Sequence, residues 1–395
     1  MAKKRVLIAH PKVTAAGGGN AVAAWTLQAL RDDFEVALAT LQPIDCQALN
    51  RSWGTSLRPG DIDVRVAPPH YQTLLGNFPT AGALLSTSLT MRLARNIDAR
   101  EKFDVVMSTQ NEADFGRRGI QYVHHPWLYL PRPKDEMSWF HYIPGILWAY
   151  RRICQAISMG TNAGLARNLS LANSSFIAGR IRSVHHTGSV IVFPPVTTGF
   201  PNVPWDERRS AAVGVGRIHS CKRWDMAVAI VEEVRRRGHD FGLTLIGHPD
   251  PDEPEYLQQI KVLAADRPWF RLRLDLSRDE LAAEVASHRY GIHAMREEHF
   301  GIGPAEILCA GCVLFAHNSG GPIEIVGGEP RVLFDDVNDA AAKISRVLSD
   351  RGLESELREK AAGQSHLFST EAFCRALREI VTDFVAEEHT ATPNR

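Results

Sequence analysis

Short apolar runs alternate with longer amphipathic stretches along the whole chain. Arg5–His10 (RVLIAH) is apolar at nearly every position, which predicts a buried first strand of the kind covered on both faces. A glycine-rich turn, AAGGGN, follows, and Ala21–Leu30 predicts an apolar helix. FEVALAT, FDVVMST (Phe103–Thr109) and GIQYVHHP predict further strands with polar C-terminal ends. SLANSSF and VIVFPPV predict a short strand each, and the proline-rich run Pro194–Pro204 reads as a linker. The pattern then restarts. AAVGVGRI, FGLTLIGH, FRLRLD, YGIHA, CVLFA and RVLFD predict strands, with amphipathic helices such as Trp224–Arg237 between them. Strands alternating with helices imply α/β units with parallel, doubly wound sheets. The expected division is 1–200 and 205–369, followed by a helical tail at 370–395. Ligands on such sheets bind beyond the C-terminal strand ends, where Gly17–Asn20, Thr109–Asn111 and His124–His125 fall.

The chain has 395 residues, enough for two domains, and 44% are apolar, enough for two cores. Lys plus Arg and Asp plus Glu number 45 each, so a nucleic-acid partner, which favours a basic surface, is not expected. The six cysteines are scattered, which points to reduced thiols rather than a disulfide framework. Cys309 and Cys312 form a lone CxxC with no second ligand pair, so they read as small residues closing a helix and opening a strand, and no metal is expected. The apolar run Val6–Ala9 after the basic start is too short for a secretion signal. No run reaches the ~20 apolar residues of a membrane span. The expected location is cytoplasmic, with peripheral contact at the inner face of a membrane left open.

The most informative stretch is Glu297–Gly311, EEHFGIGPAEILCAG. Glu298 and Glu306 stand eight positions apart around a glycine-rich turn. Gly301 and Gly303 permit backbone conformations other residues resist. Pro304 suits the first position of a helix, and the helix runs on through Glu306 and Ile307. A turn of free N–H groups at a helix N-terminus suits an anionic or hydroxyl-rich ligand, and both acids can accept hydrogen bonds from sugar hydroxyls. A second constellation, VGVGRIHSCKRW, sets Arg217 and Lys222 five apart just after a strand. Two cations there would stabilise an anionic group, the guanidinium as a fork and the ammonium as a point charge. In AAGGGN, Gly17, Gly18 and Gly19 can cradle a phosphate or acceptor at a helix start. A dinucleotide fingerprint is disfavoured, because Val22 stands where the third glycine is needed and no acid follows the second strand.

The Glu-x7-Glu segment, with Phe-Gly after its first acid, resembles the signature of retaining glycosyltransferases of the GT-B fold, family four (glycosyltransferase group 1). EHFGI, followed by NSGGPIEIV (Asn318–Val326), and YVHHP around His124 are nearest in wording to the family's α-1,2-mannosyl-transferring branch of the dolichol pathway. The likeness also takes in the first strand, the glycine loop, Asn173-Ser174, FPPV and the Gly-Arg…Lys motif. It implies two Rossmann-like domains facing across a cleft, and a tail that crosses back to the first domain. It implies a nucleotide-diphospho-sugar donor, GDP-mannose first and UDP-sugars next, and a glycan, lipid-linked or small-molecule acceptor. It further implies no cofactor and no metal. Carried over, Glu306 holds the nucleotide ribose, and Glu298 with the backbone of Phe300, Gly301, Ile302 and Gly303 holds the sugar. Arg217 and Lys222 hold the diphosphate, Gly18 and Gly19 lie by the donor, and His124 contacts the transferred sugar. No side chain stands out as a covalent nucleophile. An epimerase of the same fold, turning over donor without acceptor, and an inactive nucleotide-sugar sensor are the alternatives.

Other features weigh less. Asn173-Ser174-Ser175 reads equally as a cleft turn or a helix cap. Gly320, Gly321 and Pro322 predict a turn near the donor. Asp250-Pro-Asp252 reads as a solvated turn. MSWFHYIPGILWAYRR (residues 137–152) carries Trp139, Phe140, Tyr142, Ile143, Ile146, Leu147 and Trp148 ahead of Arg151 and Arg152. Its composition suits a membrane interface or a greasy acceptor, and equally a packed helix.

Overall fold

A computed structural model describes residues 3–76, 82–126, 128, 145–197 and 199–391. Residues 137–144, which include Trp139, Phe140, Tyr142 and Ile143, lie outside the described residues. The chain divides into two compact units. One runs to Pro195 and includes the residues from Thr370 onward, and the other is Val196–Ser369. The expected division was 1–200 and 205–369; the change of unit falls after Pro195, inside the proline-rich run Pro194–Pro204.

Among the described residues the first unit holds a seven-stranded sheet of β1 (Arg5–Ala9), β2 (Glu35–Thr40), β3 (Asp63–Val66), β4 (Val105–Ser108), β5 (Ile120–Val123), β6 (Leu169–Ala172) and β7 (Val190–Ile191). Their order is β3-β2-β1-β4-β5-β6-β7, with every pairing parallel. Because strand side chains alternate, β1 feeds two cores. Val6 and Ile8 join the cluster that includes Leu27 of the helix Gly18–Leu30, while Leu7 and Ala9 join Met91 and Ala94 of the helix Gly82–Glu101. This double burial explains the unbroken apolar run in the sequence. The C-terminal helix Thr370–Ala391 belongs to the first unit and adds Phe373, Leu377, Val381 and Phe384 to the cluster around Val6.

The second unit holds six strands among the described residues: β8 (Arg209–Val215), β9 (Gly242–Gly247), β10 (Phe270–Leu274), β11 (His288–His293), β12 (Val313–His317) and β13 (Leu333–Phe334). Their order is β10-β9-β8-β11-β12-β13, again all parallel. Each sheet therefore reverses its winding direction once, at β1/β4 and at β8/β11. In such sheets the crevice outside the C-terminal ends at that reversal is where ligands bind.

Candidate functional site

In the second unit, β8 leads into the loop that carries Arg217 and Lys222. The loop closes over Trp224, which is fully buried and donates its indole N–H to the Arg217 carbonyl at 2.8 Å. A Cβ on Gly214 would lie 2.8 Å from the Trp224 ring and one on Gly216 3.1 Å from it, so both glycines make room for the indole. Losing a buried ring of this size typically costs about 3–5 kcal/mol. The short turn Ser220–Lys222 then aims the lysine, and Ser220 is tied to Glu253 through its N–H at 2.6 Å and its hydroxyl at 2.7 Å. The Arg217 guanidinium donates to Asp250 at 2.6 Å and remains largely exposed. Asp250 is buried rather than part of a solvated turn: its carboxylate accepts from Arg217 and from the Asp252 N–H at 3.1 Å, which overturns the sequence reading of that loop.

Across the reversal, β11 ends at His293 and the chain turns through Glu297 and Glu298 into the helix Ile302–Cys309. Glu298 is buried, and Lys222 donates to its carboxylate. His293 Nε2 lies 3.4 Å from the same oxygen, a long approach that leaves both ring nitrogens unbonded among the described residues. Burial works against a charge on Glu298, but the Lys222 ammonium, followed by His293, holds its carboxyl well below the ordinary range. Burial also lowers the pKa of His293, with the Glu298 carboxylate opposing the shift.

Gly301 caps the helix at φ 101°, where a side chain would be strained. Gly303 is required for space: a Cβ there would stand 2.4 Å from the Val215 carbonyl oxygen. Pro304 is the third helical residue rather than the first, still within the turn whose N–H groups have no intrahelical acceptor. Gly320 and Gly321 back this loop. Their Cβ atoms would meet the Glu298 carbonyl at 2.3 Å and the Phe300 Cα at 2.5 Å, and the Gly321 N–H donates to the Glu298 carbonyl at 2.8 Å. Glu306 is buried one turn into the helix, and Arg278 donates to it while also reaching the Thr197 carbonyl at 3.0 Å.

The first unit gathers a second cluster at its own strand ends. His124 follows β5, and its N–H and that of His125 both donate to Asn111 Oδ1, at 2.8 and 3.0 Å. His124 Nε2 lies 3.1 Å from the Thr109 carbonyl, so that nitrogen carries the proton. A Cβ on Gly19 would be 3.4 Å from the same nitrogen, which brings the glycine loop and His124 together. His10, buried after β1, takes Thr109 Oγ1 at 2.9 Å on one nitrogen and Asn20 Oδ1 at 3.2 Å on the other. Burial lowers the pKa of both histidines to about 4. Asn173 Nδ2 donates to the His124 carbonyl at 3.2 Å, and Ser174 caps the helix Ser175–His185. A cavity of about 200 Å³ in the same unit is lined by Leu84, Met91, Leu128, Cys154 and Leu165, with Arg151 at its wall.

The structure thus joins Lys222 to Glu298 and Gly19 to His124, and it gives Arg217 and Glu306 partners of their own. Sequence reasoning named the strand end Thr109–Asn111 but missed the roles of Asp250, Arg278, His293 and His10, which act through contacts that only the folded chain makes. Cys309 and Cys312 do flank the end of a helix and the start of β12, and burial pushes both thiols up to about 12. Among the described residues no group of His, Cys, Asp or Glu is arranged to hold a metal, and no helix is long and apolar enough to cross a membrane.

Residues 197–364 match the glycosyl transferases group 1 family. A Mus musculus GDP-Man:Man(3)GlcNAc(2)-PP-Dol alpha-1,2-mannosyltransferase is 28% identical over 232 residues, covering 53% of this chain and 47% of that enzyme. The chain therefore spans about half the length of this relative. The Caenorhabditis elegans enzyme of the same name is 23% identical and covers 81% of this chain and 77% of its own. Among solved structures, sucrose-phosphate synthase from Thermosynechococcus elongatus superposes with a TM-score of 0.64 at 15% identity, over 98% of this chain and all (100%) of that one. Anabaena Alr3699/HepE with UDP and glucose gives 0.64 at 13% identity, over 96% and 100%. These likenesses establish the fold, which is that of the GT-B glycosyltransferases.

Proposed function

The chain carries a glycosyl transferases group 1 domain on the GT-B fold, and from that premise we propose that it moves a hexosyl group from a nucleotide-diphospho-sugar to a hydroxyl acceptor, with retention and without a metal. GDP-mannose is the first donor to test and UDP-sugars the next, since GDP-Man stands in the names of the matched relatives. The observation that supports this reading best is the pairing of Lys222 with Glu298 at the β8/β11 reversal, beside the N-terminus of the helix Ile302–Cys309, where Gly301 supplies no side-chain cap. In this reading Arg217 and Lys222 hold the diphosphate, and Lys222 exchanges a carboxylate partner for a phosphate when donor arrives. Glu298 and the backbone of Phe300, Gly301, Ile302 and Gly303 hold the sugar hydroxyls, and Glu306 holds the ribose. Gly18 and Gly19 serve the donor, and His124 meets the transferred sugar, as the resemblance implies. The bond from the anomeric carbon to the phosphate oxygen breaks, the acceptor oxygen bonds on the same face, and its proton passes to the leaving phosphate. The cations favour that step because the phosphate gains charge as it leaves.

The relatives' names give a PP-Dol-linked acceptor. Exposed Trp148 and Ile153, with Arg151 and Arg152 on the helix Ile146–Ser158, suit an acceptor of that kind at an anionic bilayer surface.

A thermal-shift panel of nucleoside diphosphates and their sugars tests the reading. One nucleotide family is expected to raise the melting temperature in proportion to the logarithm of its concentration, as a ligand specific to the folded state does. A flat response to the guanine and uracil series alike would remove the donor assignment.

A further inference from the structure

Two arginines beside the Lys222–Glu298 pair are left without a role by this reading. Arg223 directly follows Lys222, and Arg296 lies two residues before Glu298. Lys222 and Glu298 are in contact, so the loops after β8 and β11 that carry Arg223 and Arg296 approach each other, and the Arg296 charge acts on Arg223. The neighbouring strand β12 ends in His317, which is buried. Arg296 donates Nε–H to His317 Nε2 at 3.3 Å. The imidazole therefore donates from Nδ1 to Ser319 Oγ at 2.9 Å, and that hydroxyl also accepts the Glu297 N–H at 2.8 Å.

The charges here do not cancel. Among the described residues, Arg223 Nη1 is buried with no hydrogen-bond partner. Asp225, the acid that acts on Arg223, accepts the Tyr256 hydroxyl at 2.9 Å and is not itself in ion-pair contact with the guanidinium. Burial lowers the pKa of Arg223, with Arg296 adding to the effect. Burial also lowers that of His317, with Arg296 and Arg223 adding, His293 adding a little and Asp335 opposing. Arg223 moreover sits at φ 54°, a left-handed conformation that L residues with a long side chain adopt at a cost. A left-handed backbone, a buried N–H without a partner among the described residues and two like charges acting on each other are the marks of an anion-binding site.

We propose that Arg223 and Arg296, the latter oriented by His317, form an oxyanion subsite beside Lys222 that takes a phosphate-type group which Arg217 and Lys222 do not themselves neutralise. The ligand is the donor's own diphosphate reaching past Lys222, or a phosphate on a second molecule. The subsite stands apart from the transferase reading, since it needs only the arginines and a phosphate-class anion.

The test uses the full chain with inorganic phosphate as probe, against sodium chloride at equal ionic strength. Wild type is expected to gain melting temperature with phosphate beyond the chloride control. Arg223→Gly and Arg296→Gln, which keep Arg217 and Lys222, are expected to lose most of that gain. Without phosphate, Arg223→Gly relieves both the backbone strain and the repulsion, so it is expected to melt at or above wild type, by about 2–4 °C per kcal/mol relieved. That outcome also excludes misfolding as the cause of lost binding. Saturating nucleoside diphosphate then separates the two sources. Loss of the phosphate response in its presence assigns the subsite to the donor, and persistence assigns it to a second ligand. A phosphate response in both variants equal to wild type, or one reproduced by chloride, overturns the proposal.

Discussion

Glu298 and Glu306 are buried carboxylates with different cations, and that difference sets different expectations for each. Glu298 neutralises Lys222 in the free site. Replacing it with Ala frees the ammonium, so affinity for nucleoside diphosphate should hold or rise, while sugar transfer falls by about 100-fold, the scale of one lost transition-state contact. Glu306 is engaged by Arg278 instead. Its replacement by Ala should chiefly weaken nucleoside diphosphate binding. Calorimetry on both variants decides the division, and equal losses would contradict it. His10 offers a separate test at residue scale. Its folded pKa is lowered from 6.5 to about 4. Its contribution to stability is therefore complete above 6.5 and is lost as pH falls from there toward about 4, because the unfolded chain takes the proton first. The stability difference between wild type and His10→Gln should shrink across that window, by at most about 1.4 kcal/mol per pH unit. A difference independent of pH would show that His10 is not held neutral.

At the scale of elements, the decisive device is a strand that ends where its sheet reverses, followed by a turn that needs glycine. Gly303→Ala illustrates it. The added methyl meets a backbone oxygen, Val215 O, which cannot step aside as a side chain would. Overpacking of this kind costs about 1–3 kcal/mol. Urea unfolding should show a lower midpoint at unchanged slope, and nucleoside diphosphate affinity should drop at least tenfold as the helix start shifts. A variant that binds like wild type would show that the close approach of helix and strand is not needed. The central strands were legible because both faces are buried and their runs are unbroken, as in RVLIA. β3 was not, since at the sheet edge it holds two charged residues, Asp63 and Arg65, with Asp63 and Val66 exposed and Val64 and Arg65 only half-buried. Asp250 misled for a related reason. DPDEP looks like a surface turn by composition, yet a single guanidinium from β8's loop makes its first acid an interior residue.

At the scale of the whole molecule, the two units repeat one solution: a parallel sheet, a single reversal, and polar side chains gathered at the strand ends beside it. The alternation of strands and helices made that solution legible, and in the second unit Gly-Arg…Lys and Glu-x7-Glu each sit just past a central strand. The supporting contacts, Arg278 to Glu306, His293 to Glu298 and His10 to Thr109, join segments with no sequence pattern between them and exist only once the chain is folded. The central claim is that these residues carry retaining, metal-independent sugar transfer from a nucleotide-diphospho-sugar. Time-resolved proton NMR of the sugar released or transferred from the preferred donor, with and without EDTA, tests it most directly. The account predicts that the first product keeps the donor's anomeric configuration, that EDTA leaves the rate unchanged, and that Lys222→Ala lowers that rate by at least about 100-fold. An inverted first product, a rate abolished by EDTA, or a folded Lys222→Ala variant that turns over normally would contradict it.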